Sequence, residues 1–251
     1  MNRVALITGG GGGMGRAIAA RFLADGDTVV LADISAEALS SATEALPGAN
    51  TWVADVSRVG DCRDLVAGVL DRHGRMDTLV TAAGVWVEGP SAEVTEEQWD
   101  RVVDVNLKGT FFAVRFAIPS LIESEGCLVA ISSDYGLVGG SGAAVYAASK
   151  FGVNALVRSL ALELAPSGVR VNAVCPADVD TPMLAGQARD YGRGDEGGYL
   201  RALLATLPQG ERARFIKPDE IASVVSFLTS PESAPITGVC LPVEWGVTAG
   251  Y

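Results

Sequence analysis

The sequence predicts a three-layer, doubly wound α/β fold, a seven-stranded, mostly parallel sheet with helices on both faces. Three observations carry this: short apolar runs alternate with longer amphipathic ones, a glycine block follows the first apolar run, and an acid closes the second. Strand-length runs fall at 4–8, 28–33, 51–54, 78–81, 127–132, 169–174 and 239–243. Helical stretches lie between them at 13–24, 36–45, 59–72, 99–118, 145–164 and 218–228. Strands that alternate with helices make βαβ units, hence a parallel sheet covered on both faces. Ligands of such folds gather at the carboxyl ends of the strands.

The stretch 145–164 shows the helical period well. Ala147, Phe151, Ala155, Leu156, Ser159 and Leu162 recur mostly at steps of three and four, a stripe predicted to be buried. One region escapes the alternation. Positions 184–216 are rich in Gly and charge, with a short helix predicted at 199–206. An irregular excursion of that length in a compact chain is expected to be a substrate-binding loop or lid. The whole chain, 1–251, reads as one domain that binds a dinucleotide and carries the catalytic groups.

Composition excludes several functions. A net charge of −11 with no basic run argues against nucleic acid and against an anionic membrane surface. The N-terminal apolar run is too short for a signal peptide, and no run approaches the roughly 18 apolar residues of a membrane span. Cys62, Cys127, Cys175 and Cys240 are scattered, with no CxxC pair, so they read as small core residues of a cytoplasmic protein. With one histidine and dispersed acids, no metal site is legible.

The first strand runs into glycines at 9–13, then Met14 and Gly15. Glycines allow a tight turn and close approach of backbone to a pyrophosphate, and the helix that follows offers unpaired N–H groups to it. A glycine block alone is a weak signal, and its bland reading is a flexible turn. Asp33, at the end of the next strand, strengthens it: a carboxylate there accepts adenosine-ribose hydroxyls and repels a 2′-phosphate. No Lys or Arg stands at Gly12 or Ile34 to bind that phosphate. The reading is a Rossmann dinucleotide site that takes NAD in preference to NADP.

Three polar features stand near later strand ends: Asn106, the pair Ser132-Ser133, and Tyr146 with Lys150. On a helix, Tyr146 and Lys150 are i and i+4 and share a face. An ammonium there, with an oxidised nicotinamide, is expected to pull the phenol from about 10 toward about 7. Such a phenol exchanges a proton with an alcohol or carbonyl near neutral pH. A lone YxxxK means little, since most are surface pairs. A strand-end serine upstream and a cofactor loop before both give it weight.

Taken jointly and in order, these residues resemble the short-chain dehydrogenase/reductase family in its compact NAD-dependent branch. The likeness covers nearly the whole chain. It includes Thr8-Gly9, Gly13-Met14-Gly15, Asp55-Val56, Ala83-Gly84, Asn106, Ser133, Tyr146, Lys150, Pro176, Thr181-Pro182-Met183 and Ile236-Thr237-Gly238. The resemblance implies that Tyr146 is the general acid/base and Ser133 binds the substrate oxygen. Lys150 would bind the nicotinamide ribose, and Asn106 would hold a water in a proton relay. Asp55 and Val56 would meet adenine, while Val179 and Thr181 would hold the carboxamide. Gly9, Gly13, Met14, Gly15, Asp33, Ile34, Ala82, Ala83, Gly84, Pro176 and Met183 complete the expected cofactor set. A homotetramer, less often a dimer, is implied, pairing through the long helices around Asn106 and Lys150.

There are departures. Thr81-Ala82-Ala83-Gly84 stands where the family has Asn-Asn-Ala-Gly, removing an amide that steadies backbone. Ala177 replaces a glycine, Asp134-Tyr135 replace small residues, and Glu244-Trp245 replace Asp-Gly. The last three departures point to a particular substrate pocket. Trp86, Asp134, Val138 and Tyr191 are candidates to line it. Trp86 and Trp245 fit core or subunit-interface positions equally well, and solvent exposure is the favoured reading of Asp134. His73, before Gly74, reads as a cation at a helix end.

The activity expected is hydride transfer between NAD and a secondary alcohol or its ketone. Two rivals are a regulatory protein that binds NAD without turnover and a non-redox lyase or epimerase on the same scaffold. Retention of Gly15, Tyr146 and Lys150 weighs against both.

Overall fold

The computed structural model describes residues 2–250. Strands β1 (Val4–Thr8), β2 (Thr28–Asp33), β3 (Asn50–Val53), β4 (Thr78–Thr81), β5 (Cys127–Ile131), β6 (Arg170–Pro176) and β7 (Cys240–Val243) form one sheet in the order β3-β2-β1-β4-β5-β6-β7. Every pairing is parallel, as the alternation of strands and helices predicts. The order reverses between β1 and β4, which opens a crevice there at the carboxyl edge.

The strand side chains alternate between two cores. Val4 and Leu6 of β1 join one apolar cluster, and Ala5 and Ile7 join the other. Helices α3 (Val59–His73), α5 (Thr110–Glu123) and α6 (Ala144–Leu164) cover the first face with Leu65, Val69, Val114, Leu121, Val153 and Leu164. Helices α1 (Gly13–Ala24), α2 (Ala36–Ala45) and α9 (Pro218–Thr229) cover the second with Ile18, Phe22, Leu39, Ile221 and Leu228. Phe22, Leu6, Leu79 and Ile221 are fully buried.

Caps mark the helix ends where the residues supply them. Ser35 accepts from the Ala38 amide at the start of α2, and Gly74 closes α3 in the left-handed region at φ 72°. In that last turn, burial and neighbouring Arg72 lower the pKa of His73. The four cysteines are buried and free, as expected of core residues.

The helical region 99–118 is longer and less regular than expected. Helix α4 (Glu96–Val102), capped by a Thr95/Gln98 box, passes through a π-turn at Val103–Gly109 into α5. The stretch Glu96–Glu123, with a mean hydropathy of 1.2, is long and apolar enough to cross a membrane by length and composition only, a test that the core helix of a soluble protein also passes. Here it packs against α3 and against the π-turn's neighbour α6, and supplies Asn106 to the site.

The stripe on α6 has the expected period but lies on the other face. Val153, Val157, Leu160 and Leu164 are buried, whereas Phe151 is 46% and Leu162 81% exposed. Both stripes satisfy the period, and only the sheet decides between them. In region 184–216, α7 (Pro182–Tyr191) and α8 (Glu196–Ala205) replace most of the expected irregular chain.

Leu160→Ala is expected to cost about 2–5 kcal/mol and Leu162→Ala under about 0.5 kcal/mol in denaturant unfolding. An equal loss at Leu162 would mark it as a buried subunit contact.

Candidate active site

The carboxyl ends of β1, β2 and β4 enclose a cavity of about 550 Å³. Gly9, Gly13, Met14, Gly15, Asp33, Ile34, Asp55, Val56, Ala82, Ala83, Gly84, Thr181 and Met183 line it together. Gly12 of the glycine block also lines it, as do Ser57, Arg101 and Asp104, which were not singled out by sequence. The glycines are required by contact. Gly9 has φ +68°, and a Cβ there would stand 2.6 Å from the Ala83 nitrogen. A Cβ on Gly15 would meet the Gly9 oxygen at 2.3 Å.

Gly12 caps α1 without a side-chain bond, leaving the helix N-terminal amides directed at the glycine turn. Asp33 Oδ2 accepts from the Gly11 amide at 3.0 Å and Oδ1 from the Ser35 amide at 3.0 Å. This holds the carboxylate at the cavity rim with lone pairs to spare. Asp55 Oδ1 accepts from the Ser57 amide and hydroxyl at 2.9 and 2.7 Å. A Cβ on Gly13 would meet Thr181 Cγ2 at 2.8 Å, so Thr181 at the start of α7 seats directly on the glycine turn. An anionic, ribose-bearing group fits these donors and acceptors.

The missing amide in Thr81-Ala82-Ala83-Gly84 is compensated. Thr8 accepts from the Ala82 amide through its carbonyl at 3.1 Å. Asn106, on the π-turn, takes the Val85 amide on Oδ1 at 2.8 Å and returns Nδ2 to the Val85 carbonyl at 3.0 Å. Its Nδ2 also donates to Ser149 Oγ on α6 at 3.1 Å. Asn106 is 1% exposed, so its side chain is a clamp between the β4 loop and α6. Its side-chain atoms are bonded to protein partners. Its main-chain carbonyl accepts the Thr110 hydroxyl at 2.8 Å.

A second cavity of about 630 Å³ adjoins the first, sharing Met14, Thr181 and Met183. Ser133, Tyr146, Pro176 and Val179 line it, with Trp86, Asp134 and Val138 from the expected substrate set. Tyr191 does not; it ends α7, and Tyr199 of α8 supplies the phenol instead. Trp245 lies on the second core cluster with the Arg214 guanidinium 4.6 Å from its ring centroid. Asp134 faces the cavity and accepts the Ser133 hydroxyl at 2.7 Å, against the expectation of solvent exposure. Burial raises its pKa.

Sequence reasoning missed Glu88, Asp178 and Tyr199 in this wall, whereas Tyr135 lines it as its departure from the family pattern led us to expect. The available signals were an acid two residues after Trp86 and an acid between Pro176 and Thr181. Burial, with Asp134 and Glu88 nearby, pushes Asp178 up to about 6.

Tyr146 and Lys150 share a face of α6, and Lys150 Nζ is 5.6 Å from the phenol ring centroid. The ammonium donates to the Ile131 carbonyl at 2.9 Å, and burial lowers its pKa to about 8. In the protein alone, burial raises the Tyr146 pKa, opposed by the Ser133 hydroxyl and reinforced by Asp134 and Asp178. The lowered phenol expected from Lys150 is therefore not a property of the protein by itself. Trp86 packs edge-on against Tyr146 at 4.4 Å between centroids.

A dinucleotide crevice at the switch point, opening beside a serine, tyrosine and lysine, defines a nucleotide-dependent oxidoreductase scaffold. The short chain dehydrogenase family model matches residues 3–192, and the chain belongs to that family. It is 38% identical to meso-2,3-butanediol dehydrogenase of Serratia marcescens over 99% of this chain and 95% of that one. It is 37% identical to a 3-oxoacyl-(acyl-carrier-protein) reductase of Thermotoga maritima over 98% and 97%. Among solved structures, levodione reductase matches with a TM-score of 0.93 at 32% identity, covering 99% of this chain and 98% of that one. An actinorhodin polyketide ketoreductase variant solved with NADPH matches with a TM-score of 0.93 at 35% identity, over 98% and 97%. The family binds a nicotinamide cofactor and acts on alcohol/ketone pairs.

Asp178 also makes a stability prediction. Its folded pKa of about 6 lies above the ordinary 3.8, so the charged form disfavours the fold. Asp178→Asn is expected to stabilise by on the order of 2 kcal/mol above about pH 6 and by nothing below about pH 4. Denaturant titrations at both ends of that window would check it.

Proposed function

We propose that this protein is an NAD-dependent dehydrogenase that interconverts a secondary alcohol and its ketone. The observation that carries this is the Ser133–Tyr146 pair in the wall of a cavity continuous with the glycine-turn crevice. When bound, the nicotinamide supplies the hydride acceptor. The glycine turn and the α1 N-terminus would hold its pyrophosphate, Asp33 its adenosine ribose, and Val179 and Thr181 its carboxamide.

Ser133 orients the substrate oxygen. Its hydroxyl proton is donated to Asp134 and one lone pair takes the Tyr135 amide, which leaves one lone pair to meet the substrate O–H or the Tyr146 O–H. Tyr146 takes the alcohol proton as the carbinol hydride leaves, and returns it in the reductive direction. Lys150 places a positive charge behind the phenol. Because burial raises the phenol in the protein alone, the positive charge of the oxidised cofactor is the remaining factor that lowers it.

Asp33 supports NAD over NADP, because its carboxylate holds the rim position that a 2′-phosphate would need. The exposed apolar side chains Phe111 and Ile122 of α5 and Phe151 of α6 support a homotetramer, or a dimer, built on these helices. A cytoplasmic location accords with four free buried cysteines.

The test is NADH formation from a panel of secondary alcohols. Tyr146→Phe is expected to lower kcat by about a hundred- to ten-thousandfold, and oxidation by the unaltered protein to accelerate as pH rises. Tight NAD binding with no turnover of any alcohol would instead favour a regulatory binding protein. Asp33→Ser is expected to reduce the NAD-to-NADP preference by about tenfold or more, read as a ratio of kcat/KM. An unchanged ratio would remove Asp33 from cofactor selection.

A further inference from the structure

The cavity beside Ser133 and Tyr146 holds three carboxylates and no cationic side chain. Glu88 follows β4, Asp134 follows β5 and Asp178 follows β6, so each strand end delivers one acid to the same space. No Lys, Arg or His is among the described residues of its wall. Lys150 lies behind Tyr146 with its ammonium on the Ile131 carbonyl.

The three acids differ in how they are held. Glu88 Oε2 accepts from the Trp86 indole N–H at 3.2 Å and the Tyr199 hydroxyl at 2.7 Å. Asp134 Oδ1 accepts from Ser133 Oγ and, at 2.9 Å, from the Tyr135 amide. These donors fix two carboxylates in place without neutralising them. The Asp178 side chain makes no hydrogen bond among the described residues, and its nearest charges are Asp134 and Glu88. Charged groups withdrawn from water are ordinarily paired, and like charges crowded together raise the cost further. The wall that remains is aromatic: Trp86 stacks on Tyr135 at 5.8 Å between centroids, and Tyr199 adds a third ring. Carboxylates interleaved with aromatic faces are complementary to an ammonium.

We propose that the substrate is an alcohol or ketone bearing a protonated amine, with the ammonium among Asp178, Glu88 and Asp134 and the carbinol oxygen between Ser133 and Tyr146. This rests on the dehydrogenase reading of the same site. A carboxylated or phosphorylated substrate would meet three like charges. A neutral polyol would satisfy acceptors but leave the charge uncompensated.

Three matched alcohols test it: 2-amino-1-phenylethanol, 1-phenylethane-1,2-diol and mandelate, each with the full chain and with NAD or NADP. The expected kcat/KM for the amine exceeds that for the diol by about tenfold or more, with mandelate lowest. Asp178→Asn is expected to shrink the amine-to-diol ratio to about three or less, rather than to change both substrates equally. Binding of the same amine and diol by calorimetry, with NADH and the Tyr146→Phe protein, gives a readout free of turnover. A diol turned over or bound as well as the amine overturns the ammonium assignment and leaves the dehydrogenase reading standing. Tighter amine binding with no oxidation of any alcohol supports the assignment and counts against the dehydrogenase reading.

Discussion

The arrangement of the site depends on one buried amide. Asn106 joins the loop after β4 to α6, through two bonds to Val85 and one to Ser149. The loop carries the cofactor wall, and α6 carries Tyr146 and Lys150. Without this tie, two elements that meet at no sheet hydrogen bond would set their separation by apolar packing alone. A regular α-helix through 103–109 would place Asn106 differently about the axis. The extra residue of the π-turn is what aims it at Val85. The cost of a distorted helix is offset by satisfying groups that would otherwise be buried without partners.

A second constraint is electrostatic. Tyr146 and Lys150 are both desolvated, which raises one pKa and lowers the other. Burial thus disfavours the charged form of each partner. On the proposed reading, phenolate and ammonium support each other once the positive charge of an oxidised cofactor arrives. On the proposed reading, this couples the basicity of Tyr146 to the oxidised state of the cofactor. A phenolate present permanently would face Asp134 and Asp178 across the same cavity with no compensating ligand.

Much of this was legible in the chain. β1, β2 and β4 have the bounds that the apolar runs gave. The glycine turn and its cavity partners were legible because close backbone approach admits only glycine at Gly9 and Gly15. The buried face of α6 was not. Its apolar residues are distributed around the helix, so the period fitted both Leu160 and Leu162, and only the sheet selects. The π-turn leaves no local signature in Val103–Gly109. Glu88 and Asp178 were missed because their spacing in sequence is large and only the carboxyl edge brings them together.

That edge explains why acids can accumulate there at all. Strands β4, β5 and β6 run parallel, so the loops after them project to the same side and their side chains converge regardless of sequence distance. A residue placed in such a loop answers to the ligand as well as to the core. Asp178 has no partner among the described residues that stabilises its charge, and its neighbours destabilise it further. A fold selected only for stability would place a neutral side chain there. On the proposed reading, strain of this kind beside the reacting pair marks a specificity element. The charge that relieves it is expected to come with the substrate.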